Sequence, residues 1–331
     1  MNIIQMVKAY SGMIMGKTDY WHPDMNTNDS LNTECVAKYP VDMSAKAEYA
    51  GVFDEEQIPL VEIDGHLSHL SVTIAQYALG NYDEYIRTQN SMYLKRFLGS
   101  ADWLVQNLVE YRSGQWGWIN DHDKMIYNLK KPWLSALSQG QALSVLVRAY
   151  QETNDELYRD TGQKALGAFN VPVAEGGMLA KWQGLDYFEE YPSQTPSFVL
   201  NGFIFALWGL WEFSLITKSS EAKAYYESGL KTLEHSLKEY QVPYLNWSRY
   251  DLYPFKVTDI ASIFYHKLHI QQLRAMALLT GNELFKQQAE IWENGRKSLA
   301  RYVLATGYKI LHKLSISKQS SYVPSVQKGQ K

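Results

Sequence analysis

The run from Phe198 to Trp211 is apolar almost all the way round, with Asn201 as its one early polar side chain. A helix without a polar face belongs inside, packed on every side by other elements. A buried amide must find a partner or face a cavity, so Asn201 points to a polar hole in a packed core. Immediately before this helix stand Glu189-Glu190-Tyr191-Pro192, two carboxylates and a phenol. Acids at a helix entrance commonly cap it or complement its dipole. Ahead of a helix this apolar, they also mark where an active site would sit.

From about residue 66 the pattern turns helical and repeats. Four times a long apolar helix ends in a short polar turn, and a helix with charged flanks follows. The turns are read at Leu79-Gly80-Asn81-Tyr82, at Thr153 to Tyr158, at Thr217 to Ser220 and at Thr280 to Phe285. In three of the four, Gly or Asn ends one helix, and Asn, Asp or Ser caps the next. With Asn81, Asn154, Ser219 and Asn282 as markers the spacing is 73, 65 and 63 residues, an internal repeat of helical hairpins.

The first member of each pair is the more apolar. Leu143, Leu146, Val147 and Tyr150 follow the i, i+3, i+4, i+7 rule, whereas Glu221 to Tyr240 carries charge along one face. Buried helices inside amphipathic ones predict a mainly α fold, an α/α toroid of about four hairpins over residues 59–305. Residues 1–58 are expected to be irregular, with short strands such as Ile58 to Ile63. Residues 306–331 are expected to form a polar, solvated tail. Long linkers at 112–135, 170–196 and 241–256 should gather at one end and carry the chemistry, as loops on a rigid scaffold do.

The chain has 331 residues, 46% of them hydrophobic and 14% aromatic, enough for one large domain with a substantial core. A net charge of −3 gives no general attraction for polyanions, so an anionic substrate needs a local cationic groove. Nucleic acid is not an expected partner, because no basic stripe is present. The 24 Tyr and 10 Trp offer flat faces with polar tips, suited to sugar rings as well as to plain core packing. A single cysteine, Cys35, leaves no intrachain disulfide and no thiolate cluster. The N-terminus shows no signal-peptide pattern, and the apolar run is shorter than the ~20 residues that span a bilayer. The expectation is a soluble, cytoplasmic protein.

Four constellations bear on chemistry: Glu189-Glu190-Tyr191; Trp247-Ser248-Arg249-Tyr250-Asp251; Tyr265-His266-Lys267-Leu268-His269; and Pro132-Trp133 to Gln139-Gly140-Gln141. Arg249 between aromatics suits a carboxylate, and equally a local ion pair with Asp251. His266 and His269 share a helical face, but no third ligand has metal-like spacing. Hydrogen-bonding roles are favoured for them over zinc. Trp133 and its small neighbours suit sugar stacking or tight helix packing. No phosphate-binding glycine loop, serine elbow or zinc-protease motif occurs.

At these segments the chain resembles the C-terminal catalytic domain of the heparosan D-glucuronyl C5-epimerases, in a short bacterial-type form. The likeness runs over about residues 59 to 300. It is carried by Pro132 to Gln141 with Val147 to Tyr150, by Glu189 to Pro192 with Ser197 to Phe203, by Tyr250-Asp251-Leu252, and by Tyr265-His266 with His269 to Leu273. The resemblance implies an α/α toroid and conversion of D-glucuronate to L-iduronate within a heparosan or heparan-type polysaccharide. By resemblance, Glu190, Tyr191, Tyr250 and Tyr265 are the catalytic candidates. Asn201, Arg249, His266, His269, Trp133 and Gln139 are the candidate substrate-binding residues. It implies a homodimer as well. No cofactor is expected, and the residues leave open whether Ca2+ is bound. One departure stands out: the family arginine three residues after the tyrosine of Tyr-Asp-Leu is Tyr253 here, and Arg249 is the nearest replacement.

Epimerisation removes the proton on C5 and returns one to the opposite face, through an intermediate whose added charge must be neutralised. That neutralising role falls to Arg249, Asn201 and His266. A polysaccharide lyase starts with the same abstraction but expels the C4 oxygen, and a non-catalytic glycan-binding toroid keeps the aromatic groove alone. Both alternatives stay open at the level of sequence.

Overall fold

The computed structural model describes residues 20–316, apart from 29, 30, 32, 33 and 113. Residues 1–19 of the expected irregular segment and 317–331 of the expected tail lie outside the described residues. The fold is mainly helical, as expected. Residues 20–70 are largely irregular. They carry one turn of 3-10 helix, Ser44–Ala47, and a three-stranded antiparallel sheet in the order β1 (Val52–Phe53), β2 (Pro59–Ile63), β3 (His66–His69).

Four helical hairpins follow: α1 (Ser71–Thr88) with α2 (Ser91–Gln106), α3 (Ala136–Thr153) with α4 (Glu156–Leu166), α5 (Leu200–Thr217) with α6 (Ser220–Ser236), and α7 (Ile263–Thr280) with α8 (Glu283–Lys297). Each hairpin turn is built the same way. A left-handed residue (Gln89, Asn154, Lys218 or Gly281) ends the first helix, and a polar cap (Asn90, Asp155, Ser219 or Asn282) opens the second. Measured at these caps the repeat is 65, 64 and 63 residues. A two-stranded antiparallel hairpin precedes each later first member: β4 (Val109–Arg112) and β5 (Gln115–Gly117), β6 (Leu179–Trp182) and β7 (Leu185–Phe188), β8 (Gln241–Val242) and β9 (Trp247–Ser248).

Two expectations are corrected. The turn read at Leu79-Gly80-Asn81-Tyr82 is the interior of α1, and the first hairpin turns at Gln89-Asn90 instead. Gly80 is a packing device. A Cβ there would sit 2.6 Å from the Met43 carbonyl oxygen and 2.7 Å from the Ala47 nitrogen, so only glycine lets the 3-10 turn approach. The tail expected from 306 is instead helical through Ile316, as part of α9 (Leu299–Ile316). Its inward face is unusually polar, with Thr306, Lys309 and His312 buried beside Ala305 and Ile316, while Leu299, Val303, Leu304 and Leu311 are exposed. The apolar stripe that signals an amphipathic helix is therefore turned outward.

The first members pack on one another in order, α1 on α3, α3 on α5, α5 on α7. α3 and α5 meet without side chains between them. A Cβ on Gly209 would lie 1.9 Å from the Gly140 carbonyl oxygen, and one on Gly140 would lie 2.4 Å from the Ala206 Cα. Further along the same pair, fully buried Arg148 grips Glu212 with two 2.8 Å bonds and donates to the carbonyls of Ser144 (2.8 Å) and Ala37 (3.0 Å). Thr27 ties the N-terminal segment to α7 by donating its hydroxyl to the Gln271 carbonyl at 2.8 Å. Among the described residues α5 is long and apolar enough to cross a membrane, but 72% of it is buried in the fold; its apolarity serves packing.

Arg148→Met should strand a buried carboxylate at Glu212 and cost about 3–5 kcal/mol, read as a lower midpoint in guanidinium unfolding. The double change Arg148→Met, Glu212→Leu should recover most of that loss, since apolar groups of similar volume replace a buried ion pair well.

Candidate active site

The linkers are laced together at one end of the first-member helices. Ala136, the first residue of α3, donates its N–H to the Glu189 carbonyl at 3.0 Å, and Leu200, the first residue of α5, donates to the Tyr250 carbonyl at 3.1 Å. Leu252 donates to Ser197 at 3.1 Å, and Tyr250 donates to Asp259 at 2.8 Å. Helix starts leave N–H groups without intrahelical partners. Here those groups are satisfied by the chain segments that carry the candidate catalytic residues.

Glu189 and Glu190 have different roles. The Glu189 carboxylate accepts from the Ser197 hydroxyl (2.5 Å), the Ser197 N–H (3.3 Å) and the Phe198 N–H (3.1 Å). These bonds hold Phe198 at φ +50°, a region that costs a side-chain-bearing residue energy, and the Tyr240 hydroxyl secures its carbonyl at 2.7 Å. Glu190 instead lies over Gly202 in the first turn of α5, where a Cβ would fall 2.2 Å from its Oε2. That Oε2 is buried without a hydrogen-bond partner. Burial pushes the Glu190 carboxyl up to about 7, against the opposing pull of the Tyr191 hydroxyl and the Lys124 ammonium.

Three half-buried phenols continue from Glu190. Tyr191 and Tyr250 pack against one aromatic cluster, close enough for Glu190 and Tyr250 to act on the Tyr191 hydroxyl, and the Tyr250 and Tyr265 rings meet edge to face at 4.8 Å. Burial raises Tyr191 and Tyr250 well above the ordinary phenol value, and the Glu190 charge raises both further. All four catalytic candidates, Glu190, Tyr191, Tyr250 and Tyr265, thus stand in one chain of neighbours drawn from three segments. Trp133 joins them, its ring 5.7 Å from Tyr191. Asn201, almost fully buried one residue before Gly202, has its side-chain oxygen unpartnered.

Charged groups that the sequence did not single out surround this chain. Lys124 places its Nζ 4.6 Å from the Tyr191 ring centre. From α9, Lys309 sits 5.6 Å from the Tyr250 ring and pairs with Asp259, which His312 also approaches at 3.4 Å. Tyr127 stacks on Tyr191 at 5.0 Å and donates to Asp251 at 2.7 Å. Burial, and then the neighbouring Asp259, push Asp251 well up, while Lys309 and His312 hold Asp259 down at about 2. Lys309, His312 and Lys313 share one face of α9 by spacing. They escaped sequence reasoning because their helix shows no inward apolar stripe.

Other candidates face elsewhere. Gln139 is spent on structure: its oxygen accepts from Trp118 (3.1 Å) and its nitrogen donates to Trp116 and Ala165 (3.2 Å each). His266 is fully buried, stacked on Trp247 at 3.7 Å and accepting from the Ser248 N–H at 3.1 Å, and burial pushes it down to about 3. His269 is likewise buried against Ser248, at 2.8 Å, and is held well below the usual histidine value by burial and by His266. Both are neutral, so neither supplies a cation. Arg249 forms an isolated bridge with Ile260, and its Nε is buried without a hydrogen-bond partner. Its charge acts on Asp251 and Tyr240. Tyr253 packs among Tyr127 and Phe255.

The sequence signature described as "D-glucuronyl C5-epimerase C-terminus" matches residues 110–294, more than half of the chain. The chain belongs to this family. It is 31% identical over 215 residues to a D-glucuronyl C5-epimerase of Caenorhabditis elegans, covering 59% of this chain and 34% of that protein. It is 34% identical over 179 residues to an uncharacterized protein of Methanocaldococcus jannaschii, covering 53% and 56% respectively. The chain thus spans about a third to just over half the length of these relatives. The family match contains Glu190, Tyr191, Asn201, Tyr250 and Tyr265, whereas α9 lies beyond its end.

A carboxyl raised from 4.5 to about 7 holds its proton more tightly in the folded state. Its contribution is therefore full below 4.5 and declines as pH rises through 7. Glu190→Gln, neutral at every pH, should exceed the wild type in unfolding free energy at pH 8 by up to about 3 kcal/mol. At pH 4.5 the difference should vanish; urea titrations at the two pH values measure it.

Proposed function

We propose that this chain is a glucuronyl C5-epimerase acting on D-glucuronate within a heparosan-type polysaccharide and yielding L-iduronate. The succession of hairpins supports the α/α toroid reading. The observation that carries the function is the gathering of Glu190, Tyr191, Tyr250 and Tyr265, drawn from separate segments, around the entrance of a buried helix.

C5 abstraction needs a base that is available near neutral pH. The phenols are poor choices as free phenolates, because burial and Glu190 both resist their ionisation. Burial raises Glu190 to about 7, and Glu189 as far, but the Glu189 carboxylate is occupied by Ser197 and Phe198, which leaves Glu190 to take the proton. In this reading the Tyr191 oxygen takes the C5 proton as its own hydroxyl proton passes to Glu190. The C5–H pair becomes the enolate of the sugar carboxylate, and no isolated phenolate forms. Tyr265 then gives its hydroxyl proton to the opposite face of C5 and takes one from Tyr250, which is resupplied through Tyr191 from Glu190, so every phenol ends neutral and Glu190 is again the carboxylate. Trp133 offers its ring to the sugar, and the unpartnered Asn201 oxygen accepts a sugar hydroxyl. The anionic polysaccharide is the partner this site would take.

Incubation of the chain with heparosan in D2O, followed by NMR of the uronate signals, tests the reading. Deuterium should enter at C5 without chain cleavage, at a rate that rises with pH through about 7 as Glu190 loses its proton. Tyr265→Phe and Tyr191→Phe should each slow exchange by about a hundredfold or more with circular dichroism unchanged. Near-normal exchange in Tyr265→Phe removes that residue from the mechanism. An unsaturated, ultraviolet-absorbing uronate identifies a lyase, and binding without exchange identifies a glycan-binding protein.

A further inference from the structure

C5 abstraction beside a carboxylate concentrates negative charge on one side of the sugar, so the site must present a cation there. Of the residues that sequence reasoning assigned to this task, His266 is buried and neutral, Asn201 carries no charge, and Arg249, its Nε buried without a partner, acts on Asp251 and Tyr240. Tyr253, four residues after Arg249, lies inside an aromatic cluster and supplies no charge.

We propose that Lys313 of α9, together with Lys124 from the linker after β5, holds the carboxylate of the reacting uronate. Lys313 follows Lys309 by one turn, on the same face of α9, and is half-buried. Lys309 lies over Tyr250 and Lys124 over Tyr191, so the two amines bracket the phenols. Their commitments differ. Lys309 is paired with Asp259, and Lys124 is turned toward Glu190. Lys313 has no ion pair among the described residues.

The charges that reach Lys313 are those of Lys309 on its own helix, Asp259 and Asp251 on the linker after β9, and Lys124. Asp259 already serves Lys309 and His312, and Asp251 is held toward its neutral form. The amine is thus left without a dedicated anion, and burial and Lys309 press it down to about 8. A carboxylate arriving among these groups restores the balance. This assignment deepens the epimerase reading and rests on it. It also places a substrate-holding residue on a helix outside the family match at 110–294.

The test compares two probes by titration calorimetry: a heparosan hexasaccharide, and the same hexasaccharide with its carboxylates reduced to alcohols. The wild type should prefer the carboxylate form. Lys313→Gln should bind that form about tenfold or more weakly and leave binding of the reduced form unchanged. Lys313→Arg should restore most of the preference, and Lys223→Gln, an exposed lysine on α6, should alter neither. As a measurement independent of any variant, the wild-type preference should shrink between pH 7 and pH about 9.5 as lysine charge is lost.

Retention of the full preference in Lys313→Gln, or a preference flat with pH, overturns the assignment. C5 exchange in D2O, followed in parallel, separates the two layers. Normal wild-type exchange with an unaltered Lys313→Gln preference overturns the lysine site alone. A Lys313-dependent preference with no exchange in the wild type overturns the epimerase reading and leaves the carboxylate site standing.

Discussion

Glu189 is the acid on which the geometry of the other candidates depends. Its carbonyl receives the first N–H of α3, and its carboxylate fixes Ser197 and Phe198 at the approach to α5. The same short stretch thereby sets the separation of two central helices and the direction in which the next residue points. Deep inside the helix pair, Arg148 and Glu212 hold the spacing that Glu189 relies on at the end. Neither interaction belongs to the proposed chemistry, yet both determine where the chemistry sits.

With Glu189 committed to backbone amides, Glu190 is left in a space where its charge is costly. Gly202 makes that space by lacking a side chain, and the unpartnered Oε2 raises the carboxyl toward neutrality. Burial raises both adjacent carboxyls to about 7, and hydrogen bonding separates their roles: Glu189 is committed to Ser197 and Phe198, while Glu190 is left with an open oxygen. Tyr191 and Tyr250 sit in the same burial and remain neutral, suited to passing protons along hydrogen bonds.

Much of this was legible in the sequence, for definable reasons. Asn154, Ser219 and Asn282 marked real hairpin turns because capping is local chemistry. Gly80-Asn81 carried the same letters and misled, since tertiary approach of Met43 and Ala47 explains that glycine. The Glu190-Tyr191 cluster stood out beside an apolar helix, but which of the two acids was structural depended on backbone donors eight and nine residues ahead. Gln139, His266 and His269 looked like ligand contacts because polar residues at a helix start look alike whether satisfied from within or without. Lys309 and Lys313 were invisible for the opposite reason: a helix that buries charge and exposes leucine reads as a tail.

The docking of α9 bears on how the boundaries of this family should be drawn. A fragment ending where the shared signature ends would keep every phenol, and would still be recognised by its letters. It would leave Asp259 and Asp251 side by side without the ammonium and imidazole that α9 supplies. Kinship by signature and completeness as a working unit are different properties in this chain, and the last helix is where they part.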